Sequence, residues 1–188
     1  MDPAQTYELL RLLTTPVVAI TSARGEQRNG MISDGAVRLS IAPDVPRLLI
    51  QVNTWHLTHE IVSETGRFAL HLLHEGQTDV VTSLGFSSGR EGDKLAALPH
   101  HLGVTGSPIL DDCYAWFDCT VINRMDTGMS TCFLGQAMEV GRGRGEAVLQ
   151  PARLRDTLPA EYRALYERNL AAAQEQARQL AWLFAPAP

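Results

Sequence analysis

Apolar and polar positions change their spacing several times along this chain, and each change marks an element. Tyr7, Leu9, Leu10, Leu12 and Leu13 gather on one side of a short helical stretch that stops before Pro16, because a proline biases the residue before it away from helix. The stripe predicts a helix lying across a sheet. From Pro16 the texture becomes β-branched over Val17, Val18, Ala19, Ile20 and Thr21. It then meets the turn formers of Ala23-Arg24-Gly25-Glu26 and returns from Gln27 to about Ser33, which predicts a hairpin. Arg47 to Asn53 reads as the next strand. Thr54 after it suits a helix cap, and Leu57, Ile61 and Val62 share a helical face until Gly66 stops it. Arg67 to His74 reads as a strand and Glu75 to Leu84 as a short helix.

Ser87 to Ser107 is rich in Gly, Pro, Ser and charge and shows no periodicity, which predicts a long working loop. Two strands follow, Cys113 to Arg124 and Cys132 to Val140, joined through Met125-Asp126-Thr127-Gly128-Met129, whose Asp and Gly favour a turn. After Pro151 the period becomes helical. Leu158, Tyr162, Leu165, Tyr166, Leu170, Ala173, Ala177, Leu180 and Phe184 recur at steps of three and four, with Pro159 at a first helical position. One long amphipathic helix is therefore expected at the end. Strands separated by short turns, with helices inserted singly, do not follow the strand-helix rhythm of a parallel sheet. A mainly β fold results, a closed antiparallel barrel with peripheral helices.

Charge and composition narrow the function. The 188 residues carry 16 Lys+Arg against 21 Asp+Glu, a net −5, and the basic residues are scattered, which argues against a nucleic-acid partner. No run approaches the roughly 20 apolar residues of a membrane span. Met1 to Arg11 holds acids and no apolar stretch with a cleavage site, so a cytoplasmic protein is expected. Three cysteines, Cys113, Cys119 and Cys132, fit neither a disulfide framework nor a zinc site and read as reduced thiols on strands. His56 and His59 have a spacing that can hold a metal, but no third ligand is identifiable. No metal site is expected. Neither a Gly-x-Ser-x-Gly elbow nor a Gly-rich Lys-Ser phosphate loop is present.

The order of joints carries more. Thr15-Pro-Val-Val-Ala-Ile-Thr-Ser, Asn29-Gly-Met, Ser40-Ile-Ala-Pro-Asp-Val-Pro, Leu48-Leu-Ile-Gln-Val-Asn53 and Thr58-His59-Glu60-Ile61 follow one another. Gly66-Arg-Phe-Ala-Leu-His-Leu-Leu73, Leu84-Gly85 with Ser88-Gly89, Asp93-Lys94-Leu95, Gly106-Ser-Pro-Ile-Leu110 and Phe133-Leu-Gly-Gln complete the series. Over about two-thirds of the chain, from Thr15 to Val140, this resembles the flavin reductase-like family of FMN-binding split barrels, related to the pyridoxamine-phosphate oxidases. The resemblance implies one domain, a split β-barrel over about 14–141 with a helical extension over about 151–185. It also implies a homodimer with the flavin at the subunit interface.

At matching positions it implies a flavin along Gly30, Met31, Ile32, Ser33, Asp34 and Gly35, bound by backbone N–H groups. A second contact segment runs from Asn53 through Thr54 and Trp55 to Thr58, where the free N–H groups of a helix start make an anion site. Thr58 is expected to hydrogen-bond the phosphate or ribityl chain, and Trp55 either stacks on the ring or caps the barrel. Arg28, Arg38, Arg90 and Lys94 are the cations available to offset the phosphate, while Asp34 and Asp93 should contact a ribityl hydroxyl or an Arg. The family usually has Thr at Ile32 and Ser at Asp34 and Gly35, so side-chain donors are fewer here. Many flavin reductases also have Gly-Asp-His where this chain has Gly128-Met129-Ser130, which changes the nicotinamide site. The implied function is NAD(P)H-dependent reduction of flavin or a small acceptor on FMN, with no catalytic acid or base required. The alternatives are FAD or F420 as cofactor, and a non-catalytic flavin carrier or sensor.

Overall fold

The apolar run from Val17 to Ile20 is buried on both faces in a computed structural model, which describes residues 2–13 and 15–181. A strand with two buried faces needs a layer on each side, and the chain supplies both. Val18, Ile20, Ile50, Val52, Phe68 and Phe133 fill the inside of a curled sheet. Val17, Ala19, Leu73, Val81, Leu84 and Leu95 form a second core outside it.

Helix α1 (Pro3–Leu10) continues as a tight turn over Arg11–Leu13, and then come β1 (Val18–Arg24), β2 (Gln27–Ser33), β3 (Ala36–Arg38) and β4 (Arg47–Asn53). Helix α2 (Leu57–Thr65), β5 (Arg67–Leu72), α3 (Thr78–Gly85), β6 (His100–Leu102) and β7 (Pro108–Leu110) follow. The chain then forms β8 (Ala115–Asp126), β9 (Ser130–Arg142), α4 (Pro151–Thr157) and α5 (Ala160–Ala181). Seven strands make one antiparallel sheet in the order β2-β1-β5-β8-β9-β4-β3. Its two terminal strands, β2 and β3, are consecutive in the chain and joined through Asp34-Gly35, yet they do not pair with each other. The barrel is therefore split at that link and not closed, as the family resemblance implies and the pattern alone does not.

The leucines of the first helix do not lie across a sheet. No residue of α1 is buried, and Leu12 and Leu13 are 78% and 80% exposed. Thr54 does not cap α2, whose N-cap is His56; the Thr54 N–H and hydroxyl both donate to the Met129 carbonyl at 3.0 and 3.3 Å. Gly66 does end α2, in the left-handed conformation (φ +65°) with its N–H on Val62 O, which glycine adopts without strain. Residues 87–107 are not a free loop, because Leu95 and Leu98 are buried and the stretch ends in the β6–β7 hairpin. The single C-terminal helix is two. Pro159 pushes Leu158 to an extended conformation (ψ 128°), which ends α4 one turn before α5 begins. Leu158 anchors that break in the outer core and Phe86 meets Tyr162 at 5.1 Å, while the rest of α5 is half-buried or exposed. Phe184 lies outside the described residues. No described helix is long and apolar enough to cross a membrane.

Candidate functional site

At the split the sheet leaves the outer edges of β2 and β3 without partner strands, so backbone groups there that no side chain takes are open to a ligand; the Ala36 N–H is taken, by Thr15 Oγ1 at 3.3 Å. A cleft of about 210 Å³ opens there, lined by Met31, Ile32, Ser33, Asp34 and Gly35 on one side and Gln51, Asn53 and His56 on the other. Both contact segments expected from the sequence thus meet in one place. The link between them is tight. Gln51 N–H donates to Gly35 O at 2.8 Å, Gly35 N–H donates to Ser33 Oγ at 3.0 Å, and Thr15 ties down the Asp34 carbonyl through its N–H and hydroxyl at 3.2 and 2.8 Å.

Six of the expected residues line the cleft: Met31, Ile32, Ser33, Asp34, Gly35 and Asn53. Gly30 does not, since it is buried under α3, where an added Cβ would lie 3.0 Å from the Leu84 side chain. Thr58 is fully buried and its hydroxyl accepts Asn29 Nδ2 at 2.9 Å, so it presents no hydroxyl to the cleft. Thr54 is spent on Met129. Trp55 is half-buried with its ring tilted against His56 at 5.9 Å. Arg90 is engaged by Glu60 on α2 at the surface, and Arg28 donates to His100 Nε2 at 2.9 Å and to Asp93 at 3.4 Å. Asp93 therefore meets an Arg, one of its two expected partners. Arg38 is exposed on β3.

Lys94 differs from these arginines. It is half-buried, donates to Leu84 O at 2.5 Å near the end of α3, and its charge acts on His56 in the cleft wall. Burial lowers its pKa to about 8. The segment around it is pinned, with Ser83 Oγ donating to Lys94 O at 2.9 Å and Leu95 N–H to Asp93 Oδ1 at 2.9 Å. His56 is pushed down to about 4, first by burial and then by Lys94 and His59, so the cleft holds a neutral imidazole at physiological pH. His59 bonds Thr131 Oγ1 at 2.8 Å. Among the described residues no three His, Cys, Asp or Glu side chains gather as a metal cluster. Cys113 and Cys119 are buried thiols held at about 11 and 12 by desolvation.

Gln51 and His56 were not singled out as contacts from the sequence. Gln51 lies two residues before Asn53 on one strand, hence on the same face, and that period was the available signal. His56 falls inside the expected contact segment 53–58 without being named as a contact, and draws attention through its spacing to His59.

The donor set suits a flat ring carrying a polyol phosphate. Free strand edges can meet ring heteroatoms. The start of α2, whose first N–H groups have no partner inside the helix, and the Lys94 ammonium favour an anion. Asn29 Oδ1 is a buried acceptor without a donor among the described residues, but it lies under Gly89 and does not line the cleft.

The flavin reductase like domain profile matches residues 10–157, more than three-quarters of the chain. A high molecular weight rubredoxin of Moorella thermoacetica is 30% identical over 67% of this chain and 55% of its own length. A probable flavin reductase of Rhizobium meliloti is 28% identical over 72% of this chain and 42% of its own. This chain thus spans about half the length of these curated relatives. The crystal structure of an FMN-binding protein from Thermus thermophilus, with bound 1-cyclohex-2-enone, superposes with a TM-score of 0.63. It is 28% identical and covers 69% of this chain and 71% of that one.

Proposed function

Because this chain belongs to the flavin reductase like domain family, we propose that it is an FMN-binding oxidoreductase that takes hydride from NAD(P)H and reduces flavin or a small acceptor. The observation that carries this reading is the cleft at the unpaired β2–β3 link, lined from Met31 to Gly35 and faced by Gln51, Asn53 and His56. FMN, when bound, supplies the hydride-accepting ring, and the protein contributes position and electrostatics. Backbone groups of Met31 to Gly35 hold the ring edge. The α2 start and Lys94 take the phosphate, in place of the Thr58 hydroxyl and the paired Arg90. No side chain of the cleft is assigned the role of acid or base, and neutral His56 orients ligand without carrying charge.

The working form is a homodimer in a reducing cytoplasmic setting. Leu9, Leu10, Leu12 and Leu13 are more than half exposed beside α5, where Tyr7 sits against Tyr166. That apolar surface, on a helix that the chain's own barrel does not cover, suits a two-fold partner.

Titration with FMN, FAD and F420 tests the reading. FMN fluorescence should be quenched with a dissociation constant of about a micromolar or tighter, which is roughly −8 kcal/mol or better. NADH or NADPH should then be oxidised in an FMN-dependent way, and light scattering should report about twice the 20.6 kDa of one chain. Free FMN fluorescence and an unshifted spectrum at tens of micromolar protein would sink the assignment.

A further inference from the structure

Gln51 is oriented from behind. Its Nε2 donates to Ser130 Oγ at 2.8 Å, and Ser130 is fully buried. Thr127 Oγ1 lies 2.9 Å from the Ser130 carbonyl and 2.6 Å from Ser130 Oγ. With the Thr127 hydroxyl donating to that carbonyl, the Ser130 proton goes to Thr127 Oγ1, and Ser130 Oγ is left to accept the Gln51 N–H. A flipped amide would press Gln51 Oε1 against an oxygen whose proton is already committed. The relay is anchored by the turn itself, where Thr127 N–H bonds Ser130 O at 2.9 Å and Gly128 N–H bonds Asp126 Oδ1 at 2.8 Å.

The carbonyl end is left for the cleft. It lies beside Gly35, where a Cβ would stand 3.4 Å from Gln51 Cβ and 3.7 Å from Oε1, and a larger side chain there would crowd it. Gln51 is exposed although its amide nitrogen has a buried partner. An acceptor held rigidly at the mouth of a ligand cleft discriminates by what it can accept.

We infer that Gln51 is a specificity-determining residue: its Oε1 accepts a hydrogen bond from an amide or imide N–H of the bound ring, and Ser130 and Thr127 are positioning residues that hold it in that direction. The inference rests on the flavin reading above. Two rings in that reading carry such a donor, the imide of the isoalloxazine and the carboxamide of the nicotinamide.

Ring analogues that lack the donor decide the matter. If the imide is the source, the wild type should bind lumiflavin about tenfold more tightly than 3-methyl-lumiflavin, and Gln51→Leu should lose that preference. If the carboxamide is the source, lumiflavin and its methyl analogue bind alike. In that case Gln51→Leu should raise KM for NADH about tenfold while leaving KM for reduced 3-acetylpyridine adenine dinucleotide unmoved. Ser130→Ala, which frees the amide to turn, should weaken the same preference about threefold and add nothing on top of Gln51→Leu. Gln51 is exposed on β4, so its substitution tests the idea even if the buried Ser130→Ala variant folds poorly. Preferences for both ring pairs that survive Gln51→Leu overturn the inference and leave the flavin reading standing. A wild type that binds neither lumiflavin nor FMN overturns both.

Discussion

The wall built from β1, β5 and β8 and the seam between β2 and β3 belong to one antiparallel sheet, but they use their polar groups differently. In the wall, polar groups are buried and satisfied by the protein. His71 is fully buried with Nδ1 at 3.3 Å from Ala19 O and Nε2 accepting Leu110 N–H at 3.1 Å. Asp118, also fully buried, accepts Thr105 N–H at 2.8 Å and its hydroxyl at 2.5 Å. Ser22 Oγ donates to Arg67 O at 2.7 Å. Around the seam, the outer edges of β2 and β3 have no partner strands, and the cleft between them is lined by Met31 to Gly35 with Gln51, Asn53 and His56. Polar residues of the wall are held within the fold, and under the proposed function those lining the seam would face the ligand.

The strongest way to sharpen this contrast is to empty the wall. Phe68→Ala removes a fully buried ring of the inner core and should cost about 3–5 kcal/mol in urea unfolding, with FMN affinity little changed in the molecules that stay folded. Acid should also act through the wall. The His71 imidazole has an ordinary value of 6.5 but about 4 when folded, because burial opposes its charge. Between those values the unfolded chain binds the extra proton. Stability is therefore complete above about pH 6.5 and falls by on the order of 3 kcal/mol as pH drops toward 4. An unfolding midpoint that stays flat from pH 7 to 4.5 would break this part of the account.

Lys94→Met probes the seam. It should weaken FMN by a charge-assisted bond of about 1.5–3 kcal/mol while leaving lumiflavin, which has no phosphate, unaffected. Equal losses for both ligands would move Lys94 from the phosphate to the fold. Thr58→Val lies on the other side of the contrast. It leaves the buried Asn29 amide without its partner and should lower stability by about 1–3 kcal/mol, with FMN affinity within about twofold. A tenfold loss of FMN affinity without loss of stability would place Thr58 in the site after all. The smallest effect is expected for Arg90→Ala. Its pair with Glu60 is at the surface, so the thermal midpoint should move by no more than about a degree.

Strand positions were legible wherever a hydrophobic face set the register. Arg47 to Asn53 matches β4 residue for residue, and the hairpin of β1 and β2 follows its turn formers. The split was legible only through the joints of the family pattern, because no periodicity distinguishes a paired edge from an unpaired one. The cleft segment from Met31 to Gly35 was found by its place in that pattern. For Thr54, Thr58 and Arg90, residue type alone cannot tell whether a hydroxyl or guanidinium already has a partner within the fold. Met129 O, Asn29 and Glu60 claim them here, from 75, 29 and 30 residues away in sequence. Gln51 and His56 escaped for a related reason. Their importance lies in what they face across the split, which only the folded chain shows.

Hydrogen exchange with and without saturating FMN tests the central claim most directly, since it reads wall and seam in one experiment. FMN should slow exchange over residues 31–35 and 53–58, which hold the unpaired strand edge and the start of α2, and leave β5 and β8 unchanged. Protection spread evenly over the sheet, or confined to residues outside the cleft, would contradict the assignment of the seam as the flavin site.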